Sequence, residues 1–198
     1  MVAPLLTIRP LPLAAPGLDG VTALAFTSIN GVEAFAALSR QRDLPVFTVG
    51  DATAEAARAA GFDDVQSADG ALGDLAEQIA RAGLTGGRVL APGALQPSGD
   101  LPALLAGRIE VEALPVYEAV ETGAAAPGDW DAVLIHSRRA AVALARRGSG
   151  AVAGRLAVAI SAAAAQPLEG VSFADLRVAR APTEAAILEA LGNPSPDV

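Results

Sequence analysis

The stretch Leu24–Leu38, LAFTSINGVEAFAAL, decides how the rest of the chain reads. Val21 to Phe26 is short and mostly apolar, the pattern of a parallel strand covered on both faces. Thr27, Ser28, Asn30 and Gly31 make a polar turn. Val32, Phe35, Ala36 and Leu38 then recur at helical spacing. Asn30 followed by Glu33 has the spacing of a capping box, which places the start of the helix at Asn30. Such a unit puts hydroxyls and the first N–H groups of a helix at the carboxyl end of a strand, where open α/β sheets take their ligands. The same residues also suit an ordinary connecting turn, which every α/β sheet contains.

Composition excludes several classes of chemistry. The 198 residues include 14 basic ones, all Arg, and no Lys, which removes Schiff-base catalysis and the lysine of a P-loop. Cys is absent, so there is no disulfide, thiolate metal site or Cys nucleophile. His136 is the one imidazole, which rules out a His-rich metal site. The net charge of −8, without any basic run, argues against nucleic acid as a partner. No stretch reaches the about 18 uninterrupted apolar residues of a membrane helix. The opening MVAPLLTIRPLPL has no basic n-region and is cut by Pro4, Pro10 and Pro12, so a cytoplasmic protein is expected.

Outward from the opening stretch, strands and helices alternate. Strands are expected at Leu5–Arg9, Pro45–Val49, Asp64–Ser67, Arg88–Ala91, Ile109–Val116 (broken near Pro115), Asp131–His136, Leu156–Ile160 and Arg177–Ala179. Helices are expected at Ala52–Ala60 (with Asp51 as N-cap and Gly61 as stop), Leu72–Arg81, Asp100–Leu105, Arg138–Arg147, Ser161–Gln166 and Thr183–Leu191. A Gly/Pro loop spans Pro92–Gly99, and Gly123–Gly128 reads as a turn. This alternation means parallel sheets with helices on both faces.

The pattern repeats at an offset of about 110 residues. Phe26–Phe35 lies over Ile135–Leu144, Pro45–Phe62 over Leu156–Phe173, and Leu5–Leu13 over Leu114–Thr122. Arg88–Glu112 supplies a strand, loop and helix ahead of Leu114, whereas nothing precedes Leu5 in the other unit. One strand and one helix are therefore expected to be missing from the front.

FTSINGVEAF at 26–35, TVGDATAEAARAAGF at 48–62, Val116-Tyr117-Glu118-Ala119-Val120, the strand and Ser at 133–137, and PTEAAILEAL at 182–191 together resemble the uroporphyrinogen-III synthase family. The resemblance runs from Leu5 to Leu191. It implies an α/β fold of two small doubly wound parallel-sheet domains joined by two crossover strands. Residues 12–117 would form the continuous domain, and 1–11 with 118–198 the split one. Leu5–Arg9 and Val116–Val120 would be the crossovers. The implied activity is cyclisation of linear hydroxymethylbilane with inversion of the last pyrrole ring, without metal or organic cofactor. The implied partner is that small linear tetrapyrrole alone, with no nucleic acid and no membrane, and the protein is expected to be a monomer.

The resemblance implies site residues too. Tyr117, the sole tyrosine, would hydrogen-bond the departing hydroxyl, or else pack as a hinge residue. Thr27, Ser28, Asn30, Gly31, Thr53, Ser137, Arg138 and Ser161 would bind substrate, their hydroxyls, N–H groups and charge answering its carboxylates. His136 and Trp130 are expected to be packing residues. Two departures from the family pattern stand out. The turn at Ser161–Ala165 is SAAAA where the family often carries Thr, and the first strand and helix are missing. A two-lobed binding protein and an inactive tetrapyrrole-binding homologue therefore stay open as alternatives.

Overall fold

The computed structural model describes residues 4–123 and 128–192, so residues 124–127 of the expected Gly123–Gly128 turn lie outside the described residues. The chain divides into two units, Ile8–Ala119 and Met1–Thr7 with Val120–Val198. Both passages of the chain from one unit to the other fall within strands, β1 (Leu6–Pro10) and β6 (Val111–Glu121).

In the first unit β2 (Val21–Phe26) pairs in parallel with β3 (Val46–Thr48) on one side and β5 (Arg88–Ala94) on the other. β4 (Val65–Ser67) extends the β3 side, and β6 extends the β5 side, giving the order β1-β6-β5-β2-β3-β4. Alternation along the strands divides the core. Leu24, Phe26, Val46 and Leu90 meet α1 (Ile29–Leu38) and α2 (Asp51–Ala59) through Val32, Phe35 and Ala57. Ala23, Ala25, Phe47 and Val89 meet α3 (Leu72–Arg81) and α4 (Leu101–Leu105) through Leu75, Ile79 and Leu105. Strand side chains pointing alternately to either face produce two hydrophobic layers, one per helix pair. Phe26, Phe35 and Phe62 pack as a trio with ring centroids 5.9–6.5 Å apart. Each buried ring contributes about 1.5–3 kcal/mol of transfer free energy.

One cation holds this layer's helix ends. Arg42 Nε donates to Ala60 O at 2.7 Å and Nη1 to Ser39 O and Gln41 O at 2.7 Å, while Nη2 reaches Ala36 O at 3.2 Å. Ser39 and Ala60 are the C-caps of α1 and α2, whose last carbonyls have no intrahelical donor. The guanidinium also lies 4.7 Å from the centroid of the Phe62 ring.

The second unit has a parallel three-stranded sheet, β7 (Ala132–Ile135), β8 (Leu156–Ala159) and β9 (Asp175–Val178), in that order. Ile135, Ala157 and Ala159 pack on α5 (Arg138–Ala145) and α6 (Ala162–Ala165), and Val158 packs on α7 (Glu184–Leu191).

Several boundaries differ from expectation. The N-cap of α1 is Ser28, two residues before Asn30, because Ser28 takes the extended conformation and its Oγ accepts the Gly31 N–H at 3.1 Å. Gly50, not Asp51, is the N-cap of α2; Asp51 sits in the first turn, where its charge suits the helix dipole. Strand β5 runs on through Pro92 and Gly93, and β6 passes through Pro115 without breaking. A register shift between Gly93 and Ala94 absorbs the prolines beside it. After α6 the chain tightens into a 3₁₀ turn, Gln166–Leu168, which accommodates Pro167. His136 is exposed rather than packed in the core, and its Nε2 lies 2.8 Å from Glu184 Oε2. Trp130 is part of the packing, with Arg155 4.7 Å above its ring.

Candidate active site

The carboxyl edge of the six-stranded sheet gathers the site of the first unit. Strand β2 ends at Phe26 and leaves Thr27 exposed, and Ser28 follows as the N-cap of α1. Two strands away, β6 carries Tyr117 opposite Ala94 of β5, and Tyr117 O accepts the Leu95 N–H at 2.7 Å. Tyr117 is 7 % exposed, and its hydroxyl lies 3.0 Å from Ser28 Oγ. The two residues are 89 positions apart in the chain.

Gly31 explains how α1 comes so close. A Cβ there would stand 2.8 Å from Pro92 O, so only glycine lets the first turn rest on the β5 backbone. Its N–H bonds Ser28 and the residue is buried, so Gly31 shapes the turn rather than offering a donor to a ligand. The N–H groups of Ile29 and Asn30, by contrast, have no intrahelical acceptor, as at any helix start. Asn30 is half-buried. Thr53 is buried in the first turn of α2, with its N–H on Gly50 O at 3.1 Å. Thr48 ends β3 fully buried, its hydroxyl bonded to Gly50 O and Gln66 O.

The second unit repeats the turn chemistry. Ser137 has φ −157 and ψ 151, against −160 and 152 at Ser28, and Ser137 Oγ accepts the Ala140 N–H at 3.1 Å. Ser161 caps the four-residue α6 through the Ala164 N–H at 3.3 Å. Arg138 is exposed at the first position of α5 and makes no ion pair among the described residues. The second unit contains no tyrosine, so neither serine has a phenol partner within its own unit.

Sequence reasoning missed two neighbours of the Ser28–Tyr117 contact. Ile29 is 41 % exposed at the first position of α1, and Leu95 is 47 % exposed directly after β5. Ile29 directly follows Ser28 in the chain, and the Leu95 N–H bonds the Tyr117 carbonyl. A single exposed aliphatic residue has no distinguishing sequence signal. The Arg108 guanidinium, by hydrogen bond and charge, holds the exposed Glu77 carboxyl below the usual carboxylate range.

What the arrangement offers chemically is a buried phenol wired to a helix N-terminus with open N–H donors. Among the described residues no serine hydroxyl is hydrogen-bonded to His136, whose Nε2 lies 2.8 Å from Glu184 Oε2, so no serine–histidine pair is formed. The arrangement suits positioning and hydrogen-bond donation better than nucleophilic attack.

Comparison with known proteins supplies the family. The family described as uroporphyrinogen-III synthase HemD matches residues 1–189. No curated protein matches the sequence. The fold is similar to that of uroporphyrinogen-III synthetase from Helicobacter pylori, with a TM-score of 0.73 at 19 % identity, over 93 % of this chain and 88 % of that one. It is also similar to a mutant uroporphyrinogen III synthase from the extremely thermophilic bacterium Thermus thermophilus, with a TM-score of 0.55 at 18 % identity, over 95 % and 86 %. At these identities the structural likeness concerns the fold, while the match to 189 of 198 residues makes the assignment: the chain belongs to the uroporphyrinogen-III synthase family, the cyclising lyases of tetrapyrrole biosynthesis.

Proposed function

We infer that this chain cyclises linear hydroxymethylbilane to uroporphyrinogen III, inverting the terminal ring. The observation that carries the residue-level reading is the buried Tyr117 hydroxyl at the carboxyl edge of the sheet, 3.0 Å from Ser28 Oγ. The substrate ionises by losing its hydroxyl, and a phenol O–H bonded to that oxygen lowers the barrier to its departure. The rest of the catalytic work is holding the chain so that the correct carbon attacks, which needs shape rather than a reactive side chain.

Carboxylate binding falls to Thr27, the N–H groups of Ile29 and Asn30, and the hydroxyl of Thr53, whose own N–H is held by Gly50 O, in the first unit. In the second unit Ser137, Arg138 and Ser161 have the same role at matching helix starts. Local positive potential of this kind answers an anionic substrate despite the net charge of −8. The exposed Ile29 and Leu95 side chains offer contact to the pyrrole faces. In this reading the protein acts alone, as a cytoplasmic monomer, on a small molecule; the net charge of −8 without a basic run supports the absence of a nucleic-acid partner. Among the described residues no helix is long and apolar enough to cross a membrane.

The reading is tested by supplying freshly made hydroxymethylbilane and separating the porphyrin isomers after oxidation. Isomer III above background supports it. Isomer I alone, the product of spontaneous closure, rejects it.

A further inference from the structure

We propose that Ser28 is a positioning residue that donates its proton to Tyr117, so that the phenol keeps its own proton for the ligand. The proposal rests on the function given above for Tyr117. It concerns which way the 3.0 Å contact is wired.

A phenol has one proton. If Tyr117 donates it to Ser28, the phenol can only accept from a ligand and cannot assist a departing hydroxyl. If Ser28 donates, the Tyr117 O–H is free. Two features of the turn favour the second wiring. Ser28 Oγ already accepts the Gly31 N–H at 3.1 Å, and it stands at the positive end of the ten-residue helix α1. Both draw electron density from Ser28 Oγ, which makes its proton a better donor and its remaining lone pair a poorer acceptor. Bonds in such a series strengthen one another. The chain then runs from Gly31 N–H to Ser28 O–H to Tyr117 O–H to ligand.

Both ends of the contact are held. Gly31 rests on Pro92 O, where a Cβ would stand at 2.8 Å, which fixes the first turn of α1 against β5. Tyr117 is held to the other side of β5 by the Leu95 N–H. The second unit supplies a comparison within the same molecule. Ser137 caps α5 with nearly the same backbone angles and the same 3.1 Å bond, in a unit that contains no tyrosine. Capping a helix therefore does not by itself call for a phenol at this place.

Because Tyr117 is the only tyrosine, the tyrosine doublet of the Raman spectrum, whose intensity ratio separates accepting from donating phenols, reports this one bond. The test compares the full chain with Ser28→Ala, Ser28→Thr and Ser28→Asp, in the spectrum without substrate and in kcat and KM for hydroxymethylbilane. Asp keeps a good N-cap acceptor but has no proton to give, so it separates capping from wiring. The wild type is expected to show an accepting phenol. Ala is expected to lose that signature and Asp to reverse it. In both variants kcat falls about tenfold or more, with KM within about twofold, as for loss of one oriented hydrogen bond. Thr is expected to recover most of both. A donating phenol in the wild type, an unchanged doublet in Ser28→Ala, or wild-type kcat in Ser28→Asp would overturn the proposal. If the wild type forms isomer I alone, the enzymatic reading fails, while the spectra still decide the wiring.

Discussion

Tyr117 and Ser28 meet hydroxyl to hydroxyl at 3.0 Å, although β5 lies between the strand that carries the one and the strand that leads to the other. The contact joins a buried phenol to a helix start, and it is the feature of this sheet edge with the most direct bearing on loss of a hydroxyl. Replacing Tyr117 by Phe keeps the ring and removes the proton. We expect kcat to fall roughly 10- to 100-fold, with KM changed much less, because a hydrogen bond made to a departing group is worth about 1.5–3 kcal/mol. Steady-state kinetics with hydroxymethylbilane check this, and an unchanged kcat would leave Tyr117 a packing residue.

Two glycines in helices have opposite prospects. Gly31→Ala places a methyl 2.8 Å from a backbone carbonyl that cannot move cheaply, so it is expected to destabilise by about 1–2 kcal/mol and to lower kcat with it. Gly73, in the first turn of α3, has nothing within 4 Å of where its Cβ would be. Gly73→Ala is therefore expected to stabilise by about 0.4–1 kcal/mol without touching activity. Thermal melts of the two variants side by side decide the point.

Arg42 holds four backbone carbonyls and the face of Phe62. Arg42→Ala is expected to cost about 2–3 kcal/mol, since charged hydrogen bonds and a cation–π contact are lost together and do not add fully. Arg42→Lys should recover less than half, because an ammonium cannot span carbonyls from two helix ends as a planar fork does. Urea unfolding should show a lower midpoint with an unchanged slope.

Arg138 stands exposed at the start of α5 with no ion pair among the described residues. Arg138→Ala is expected to raise KM about two- to fivefold and to leave kcat close to wild type, the effect shrinking at high salt. Kinetics at two ionic strengths test this; a KM unchanged at low salt would remove Arg138 from the substrate-binding set.

Local pattern made much of this legible. Val21–Phe26 and Leu72–Arg81 appear with the bounds that periodicity implies, since both are decided by which faces are apolar. The repeat was readable for the same reason, and it resurfaces as the matched caps at Ser28 and Ser137. What distant contacts decide was not legible. Ser28 and Asn30 are both good caps, and the packing of Gly31 on Pro92 accompanies the choice of Ser28. His136 reads as a core residue, yet it is exposed with its Nε2 2.8 Å from Glu184 Oε2, 48 positions on. Pro115 reads as a strand end, yet the register shift beside it lets β6 continue. The residue types of the site were visible, whereas the Ser28–Tyr117 pairing required the fold.

The most direct measurement is the isomer composition of porphyrin formed from fresh hydroxymethylbilane as a function of protein concentration. The account predicts isomer III whose initial rate of formation rises in proportion to protein, and falls at least about tenfold when Tyr117 is replaced by Phe. Isomer I alone at every protein concentration would contradict it.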